Sequence, residues 1–178
     1  MVGLLGNKTK ANHIRKLQKD DLQLTLIVGL VSITCIGVFL LPSEIRNILK
    51  VRHGVFNPIA CITASFVHDN SLHLGTNLCA FLFTTLPLYL INKRINEQKY
   101  FLISLLMMFL VLPLLNYGIL FYLGIYKSIE YGFGLSLVCS GLVGFTIPSL
   151  TLYFKRKLEK FNSIFFFNFY GSFHIFFD

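Results

Sequence analysis

Five long runs of apolar residues carry no Asp, Glu, Lys or Arg, and few folds accommodate such a pattern. They are Leu22–Leu41, Leu74–Ile91, Tyr100–Leu123, Gly132–Tyr153 and Phe161–Phe177. Each has the roughly 17–25 residues that cross a hydrocarbon core about 30 Å thick as an α-helix. A charge at mid-helix costs about 2.5–3.5 kcal/mol, which accounts for the vacancy; His174 is the one histidine within a run. Only 13% of the chain is charged, against about 25% in an ordinary soluble domain, too little to wet the surface of a globule. The expected fold is an all-α membrane protein, a polytopic bundle of about five transmembrane helices. The first run is not a cleavable signal: a signal core is about 7–15 residues followed by a small-residue site, and Leu40-Leu41-Pro42 makes a poor one.

The net charge of +8 would suggest nucleic acid on a soluble protein, but the basic residues partition by loop. Lys8, Lys10, Arg15, Lys16 and Lys19 precede the first run; Lys93, Arg94 and Lys99 separate the second from the third; Lys155, Arg156, Lys157 and Lys160 separate the fourth from the fifth. These are twelve of the sixteen Lys and Arg; the alternate loops hold Arg46, Lys50, Arg52 and Lys127. The positive-inside rule then predicts a multi-pass protein of the cell membrane with a cytoplasmic N-terminus and an outer C-terminus. No basic–aromatic patch remains to bind nucleic acid.

Residues 1–21 read as a basic cytoplasmic leader against the anionic inner leaflet, and 22–178 as the transmembrane domain. Pro42-Ser43-Glu44 marks a helix start. The apolar patch Val55–Val67, broken by Asn57 and Pro58, is too short to span and reads as an interfacial or re-entrant piece on the outer face. Pro87, Pro113 and Pro148 fall inside runs, where membrane helices tolerate them. Cys35, Cys61, Cys79 and Cys139 form no C-x-x-C pair, so neither metal nor disulfide is expected.

Two stretches can carry chemistry. In the first, His68, His73 and Asn77 gather at the outer mouth of the second helix. His73 and Asn77 are four apart and share a helix face, and polar faces in membranes need a partner or a water-filled cavity. Helix capping and interhelical hydrogen bonds are the structural alternative. Zinc is not indicated, since the spacing is not His-Glu-x-x-His and His68 and His73 do not share a helix face. In the second stretch, Ser136, Ser140 and Gly144 recur every four residues at the start of the fourth helix, with Gly141 on an adjoining face. Close helix packing through small residues is its alternative.

Taken together, a span opening His-x4-His-x3-Asn, preceded by Phe66-Val67-His68 and followed two spans later by a Gly-rich, Ser-bearing helix start, resembles the rhomboid intramembrane serine proteases. The resemblance covers roughly residues 22–153. Gly134-Leu135-Ser136-Leu137 keeps the first Gly of the family's Gly-x-Ser-Gly but not the second; Val138-Cys139-Ser140-Gly141 keeps the second but not the first. Small residues five and eight positions after the serine, Gly141 and Gly144, favour Ser136, with Ser140 as the alternative.

The resemblance implies acyl transfer within the membrane, without metal or organic cofactor. Ser136 would attack a peptide bond of a transmembrane-helix substrate near the outer face, while His73 and Asn77 stabilise the oxyanion and His68 shapes the mouth. The family's base is a histidine on a sixth helix, which this chain lacks. His174 is the only later histidine. In the fifth span His174 rises about 20 Å from the inner side and Ser136 about 26 Å from Tyr153, at 1.5 Å per residue, so both lie in the outer half and His174 is the candidate base. Three rivals remain: an inactive rhomboid-like protein that binds transmembrane clients, a product truncated at its C-terminus, and a small transporter or channel subunit. The last lacks acidic residues in its spans for an ion path.

Overall fold

The computed structural model describes the backbone of residues 2–52, 55–123, 131–132 and 134–174, and the side chains of 21–52, 55–123 and 134–159. Among the described residues the regular structure is helical apart from one short strand pair. Helix α1 is Val2–Phe39, α2 is Ser43–Leu49 and α3 is Pro58–Thr63, followed by a 3-10 turn at Ala64–Phe66; α4 is Ser71–Arg94, α5 is Gln98–Tyr122 and α6 is Ser136–His174. Among the described residues four helical segments are long and apolar enough to cross a membrane: Asp21–Phe39, Ser71–Arg94, Gln98–Tyr122 and Ser136–Glu159.

The fifth expected span is not a separate element. Helix α6 continues through Lys155, Arg156, Lys157 and Lys160, where a loop was expected, and runs unbroken to His174. The composition explains this: Tyr153–Lys160 contains neither Gly nor Pro, and Lys, Arg, Leu and Glu are good helix formers. The stretch expected as a leader is likewise helical, continuous with the first span.

The other boundaries follow local chemistry. Asn57 caps α3, its Oδ1 accepting from the Ile59 and Ala60 amides at 3.0 and 3.2 Å, with Pro58 at the first helical position. Asn70 caps α4 by accepting from the His73 amide at 2.8 Å. At its far end α4 closes with a Schellman turn: Asn96 takes φ +58°, its amide donates to the Lys93 carbonyl, and Glu97 donates to Asn92 at 2.8 Å. That turn reverses the chain into α5 within a few residues.

Helix α6 packs chiefly against α4 and α5, around a core of Phe81, Phe101, Leu105, Leu135, Val138 and Leu142. Gly141 is the close-approach point: a Cβ there would lie 2.7 Å from Leu112 Cδ2. Gly144, by contrast, has nothing within 4 Å of its would-be Cβ. The stripe Ser136, Ser140 and Gly144 is therefore exposed, and the tight seam runs along the adjoining face.

The patch Val55–Val67 does not span. It forms α3 and the 3-10 turn, burying Ala60, Cys61 and Ala64 with Val51 against Leu114, Tyr117 and Leu120 of α5. An antiparallel strand pair, β1 (Val51–Arg52) with β2 (Tyr131–Gly132), ties this cap to the entrance of α6, with Val51 opposite Gly132. At the other end, the Asp21 carboxylate accepts from Tyr89 Oη and Lys93 Nζ, each at 2.7 Å. There too Asn92 Nδ2 donates to Ser149 Oγ at 3.2 Å, and Arg156 binds the Ile95 carbonyl and the Glu97 carboxylate. The bundle thus has a basic end and a histidine end.

Candidate functional site

The histidine end is assembled from three short pieces. The 67–70 connection carries His68, the first two turns of α4 carry His73 and Asn77, and the approach to α6 carries Gly134. Helix α2 and the residue that ends it hold the first piece: Arg46 Nη1 donates to the His68 carbonyl at 2.7 Å, and Lys50 Nζ donates to Asp69 Oδ1 at 2.7 Å. The last piece is held by the Gly134 amide, which donates to the Ala64 carbonyl at 2.8 Å.

His68 is fully buried, and one neutral tautomer satisfies both ring nitrogens. Nδ1–H donates to the Phe66 carbonyl at 3.2 Å, while Nε2 accepts from Asn77 Nδ2 at 3.1 Å. Asn77 is buried as well, and of its two amide hydrogens His68 takes one. The His73 ring meets the His68 ring edge-on, with centroids 5.0 Å apart. Gly134 closes the cluster from the α6 side: a Cβ there would lie 3.0 Å from His73 Cε1 and Nε2 and 3.2 Å from Asn77 Nδ2. Its φ of +100° is one that side-chain-bearing residues rarely adopt.

The three second-helix residues singled out in the sequence therefore converge, and the start of the serine-bearing helix seats against two of them. The serines behave differently. Leu135, Val138, Cys139 and Leu142 turn inward, which leaves Ser136 and Ser140 exposed. Ser140 Oγ donates to the Ser136 carbonyl at 2.9 Å. The α6 side chain that reaches α4 here is Cys139, whose Sγ lies 3.8 Å from the Asn77 carbonyl. His174 is not brought to Ser136. Both backbones belong to the same unbroken helix, and 38 residues at 1.5 Å each separate them by about 57 Å. The His174 side chain itself lies outside the described residues. Bringing the two to one depth would require α6 to end and the chain to reverse, and the helix instead continues.

Burial holds His68 below the ordinary imidazole value of 6.5; the Phe66 carbonyl and Asp69 push the other way, and His73 adds to the lowering. A second ring proton would point an N–H at the Asn77 amide donor. The native state thus binds fewer protons than the unfolded chain, and stability rises with pH. The contribution is complete above 6.5 and lost as pH falls below it. Thermal unfolding in detergent should show a midpoint that drops between about pH 7.5 and pH 5, and His68→Gln should flatten that dependence. An unchanged slope in the variant would remove His68 as its source.

Sequence reasoning missed Arg46, Lys50 and Asp69, since charged residues 19 to 22 positions apart give no periodic signal. It missed the role of Gly134 as the seat for His73 because only the backbone angle reveals it. Comparison with known protein families, with curated proteins and with solved structures returns no match.

Proposed function

We propose that this chain is a rhomboid-like intramembrane serine endopeptidase acting on transmembrane helices of other proteins near the outer membrane face. The observation that carries the reading is the seat of Gly134 on His73 and Asn77, which starts the nucleophile's helix at the wall of the polar cluster. In this reading the first turn of α6 rotates so that Ser136 leaves its exposed face and attacks the peptide carbonyl, and the Asn77 amide, the His73 ring and backbone N–H groups receive the oxyanion. The hydroxyl needs a base to take its proton and return it to the leaving amine. The basic end faces the cytoplasm, in keeping with the loop charges.

A second reading has a specific observation in its favour. Both serines lie on the exposed face of α6 with Val143 and Ile147, and the Ser140 hydroxyl is bonded to the backbone. A rhomboid-like protein that holds transmembrane clients without cutting them would present that face as its binding surface.

Fluorophosphonate labelling of the full chain in lipid nanodiscs separates the two. Proteolysis expects labelling that Ser136→Ala abolishes, that Ser140→Ala retains, and that Asn77→Ala lowers by about 10²-fold, the usual worth of one oxyanion donor. A folded wild type that takes no label leaves the client-holding reading.

A further inference from the structure

Helices α1 and α5 do not close fully on each other. Between them lies a groove of about 530 Å³, walled by Leu26, Ile27, Leu102, Ile103 and Leu106 and ended by Gln23 and Lys99. Both helices belong to the membrane-spanning set, so the groove opens into lipid rather than water. Apolar walls facing a void lose their dispersion contacts outright, so in a bilayer the groove is filled. Its volume decides by what. A helix about 10–12 Å across, rising 1.5 Å per residue, would place only roughly four residues' volume in this space, so a transmembrane helix would lie against the groove rather than fill it. An acyl chain fills it. From Lys99 to Leu106 the wall runs about 10 Å along α5, the depth of the first part of such a chain.

The polar end gives the groove a sign. Gln23 lies two residues from Asp21, at the end of the bundle that gathers Lys93, Arg94, Lys99 and Arg156. The neighbouring carboxylates are already matched, Asp21 to Lys93 and Glu97 to Arg156. Among the described residues no carboxylate lies within ion-pair distance of Lys99. Lys99 therefore adds positive charge at headgroup level, directly above an apolar slot. We propose that the α1–α5 groove is a binding site for an anionic phospholipid, one acyl chain lying along Leu26, Ile103 and Leu106 and the headgroup on Lys99 and Gln23. The serine-bearing helix takes no part, so the site stands whether or not the chain cuts its partners.

The test is native mass spectrometry of the full chain released from nanodiscs with equal parts of phosphatidylglycerol and phosphatidylcholine. The wild type should retain phosphatidylglycerol about fivefold over phosphatidylcholine, the worth of one lysine near an anionic surface. Lys99→Gln should bring that ratio close to parity, and Ile103→Trp, which fills the slot, should reduce retention of both lipids. Lys157→Gln, at an exposed position on α6, should leave the ratio unchanged. Equal retention of the two lipids by the wild type overturns the proposal. So does an equal loss in Lys157→Gln, which would mark a diffuse surface attraction. A lipid-free dimer would assign the groove to a second copy of the chain and overturn it as well.

Discussion

Gly134→Ala is expected to destabilise the protein by about 2–3 kcal/mol and to disorder the His73–Asn77 pair before it unfolds the bundle. Two costs combine. Holding a side-chain-bearing residue in a sparsely populated backbone region costs of order 1–3 kcal/mol, and the native φ is +100°. The new Cβ would also stand 3.0 Å from two atoms of the His73 ring, so the ring must move or the approach to α6 must. The latter is pinned, since the Gly134 amide is bonded to the Ala64 carbonyl and β2 is paired with β1. The chain has no tryptophan, so a thiol-reactive fluorogenic maleimide is the natural reporter. Cys35, Cys61 and Cys139 are buried and Cys79 is exposed. Cys139, beside the Asn77 carbonyl, should become reactive well below the global midpoint in Gly134→Ala. The control is Gly144→Ala, where a Cβ meets nothing and the helix gains up to about 1 kcal/mol of propensity. Identical melting of the two variants would refute the strain argument.

The bundle was legible in the sequence because its cause is local: a helix that crosses lipid must be apolar along its whole length, and that property can be read residue by residue. Local signals likewise gave the helix start at Ser43, just after Pro42, and the non-spanning patch at Val55–Val67. It failed at Tyr153–Lys160, where charge was taken as a loop signal. Lys, Arg and Glu mark the membrane boundary, but they are also good helix formers, and without Gly or Pro the helix continues past that boundary. The convergence of His73 and Asn77 followed from helical spacing alone. The outward aim of Ser136 and Ser140 did not, because small and apolar residues alternate around α6 and the sequence cannot say which face meets α4. Leu135, Val138 and Leu142 settle that, through contacts with residues more than 30 positions away. Strands of two residues likewise have no periodicity to detect, yet β1 and β2 tie the cap to the entrance of α6.

Asp69→Ala should cost about 2 kcal/mol while Lys50→Met costs less than about 1 kcal/mol, although the two residues form one ion pair. The asymmetry comes from burial. The Lys50 side chain is 7% exposed and that of Asp69 is 44% exposed, at an Nζ–Oδ1 distance of 2.7 Å. Removing Lys50 releases a carboxylate that water already reaches, and methionine fills the apolar path of the lysine stem. Removing Asp69 takes one carboxylate from a mostly buried ammonium, and a desolvated cation that loses a charge-assisted hydrogen bond is costly; half-exposure of Asp69 brings the figure below the roughly 3–5 kcal/mol of a fully buried pair. The consequence for the site is larger than the energy suggests. Asp69 directly follows His68, whose carbonyl is held by Arg46 of α2, four residues before Lys50. Freeing the 67–70 connection lets the His68 ring leave Asn77, so Asp69→Ala should also weaken the acid sensitivity assigned to that ring. Melting curves for Asp69→Ala, Lys50→Met and the double variant test this together. The double variant should be no less stable than Asp69→Ala alone, since the buried charge has gone. A double variant that loses the sum of the two single effects would mean that α2 does not hold the histidine end through this pair.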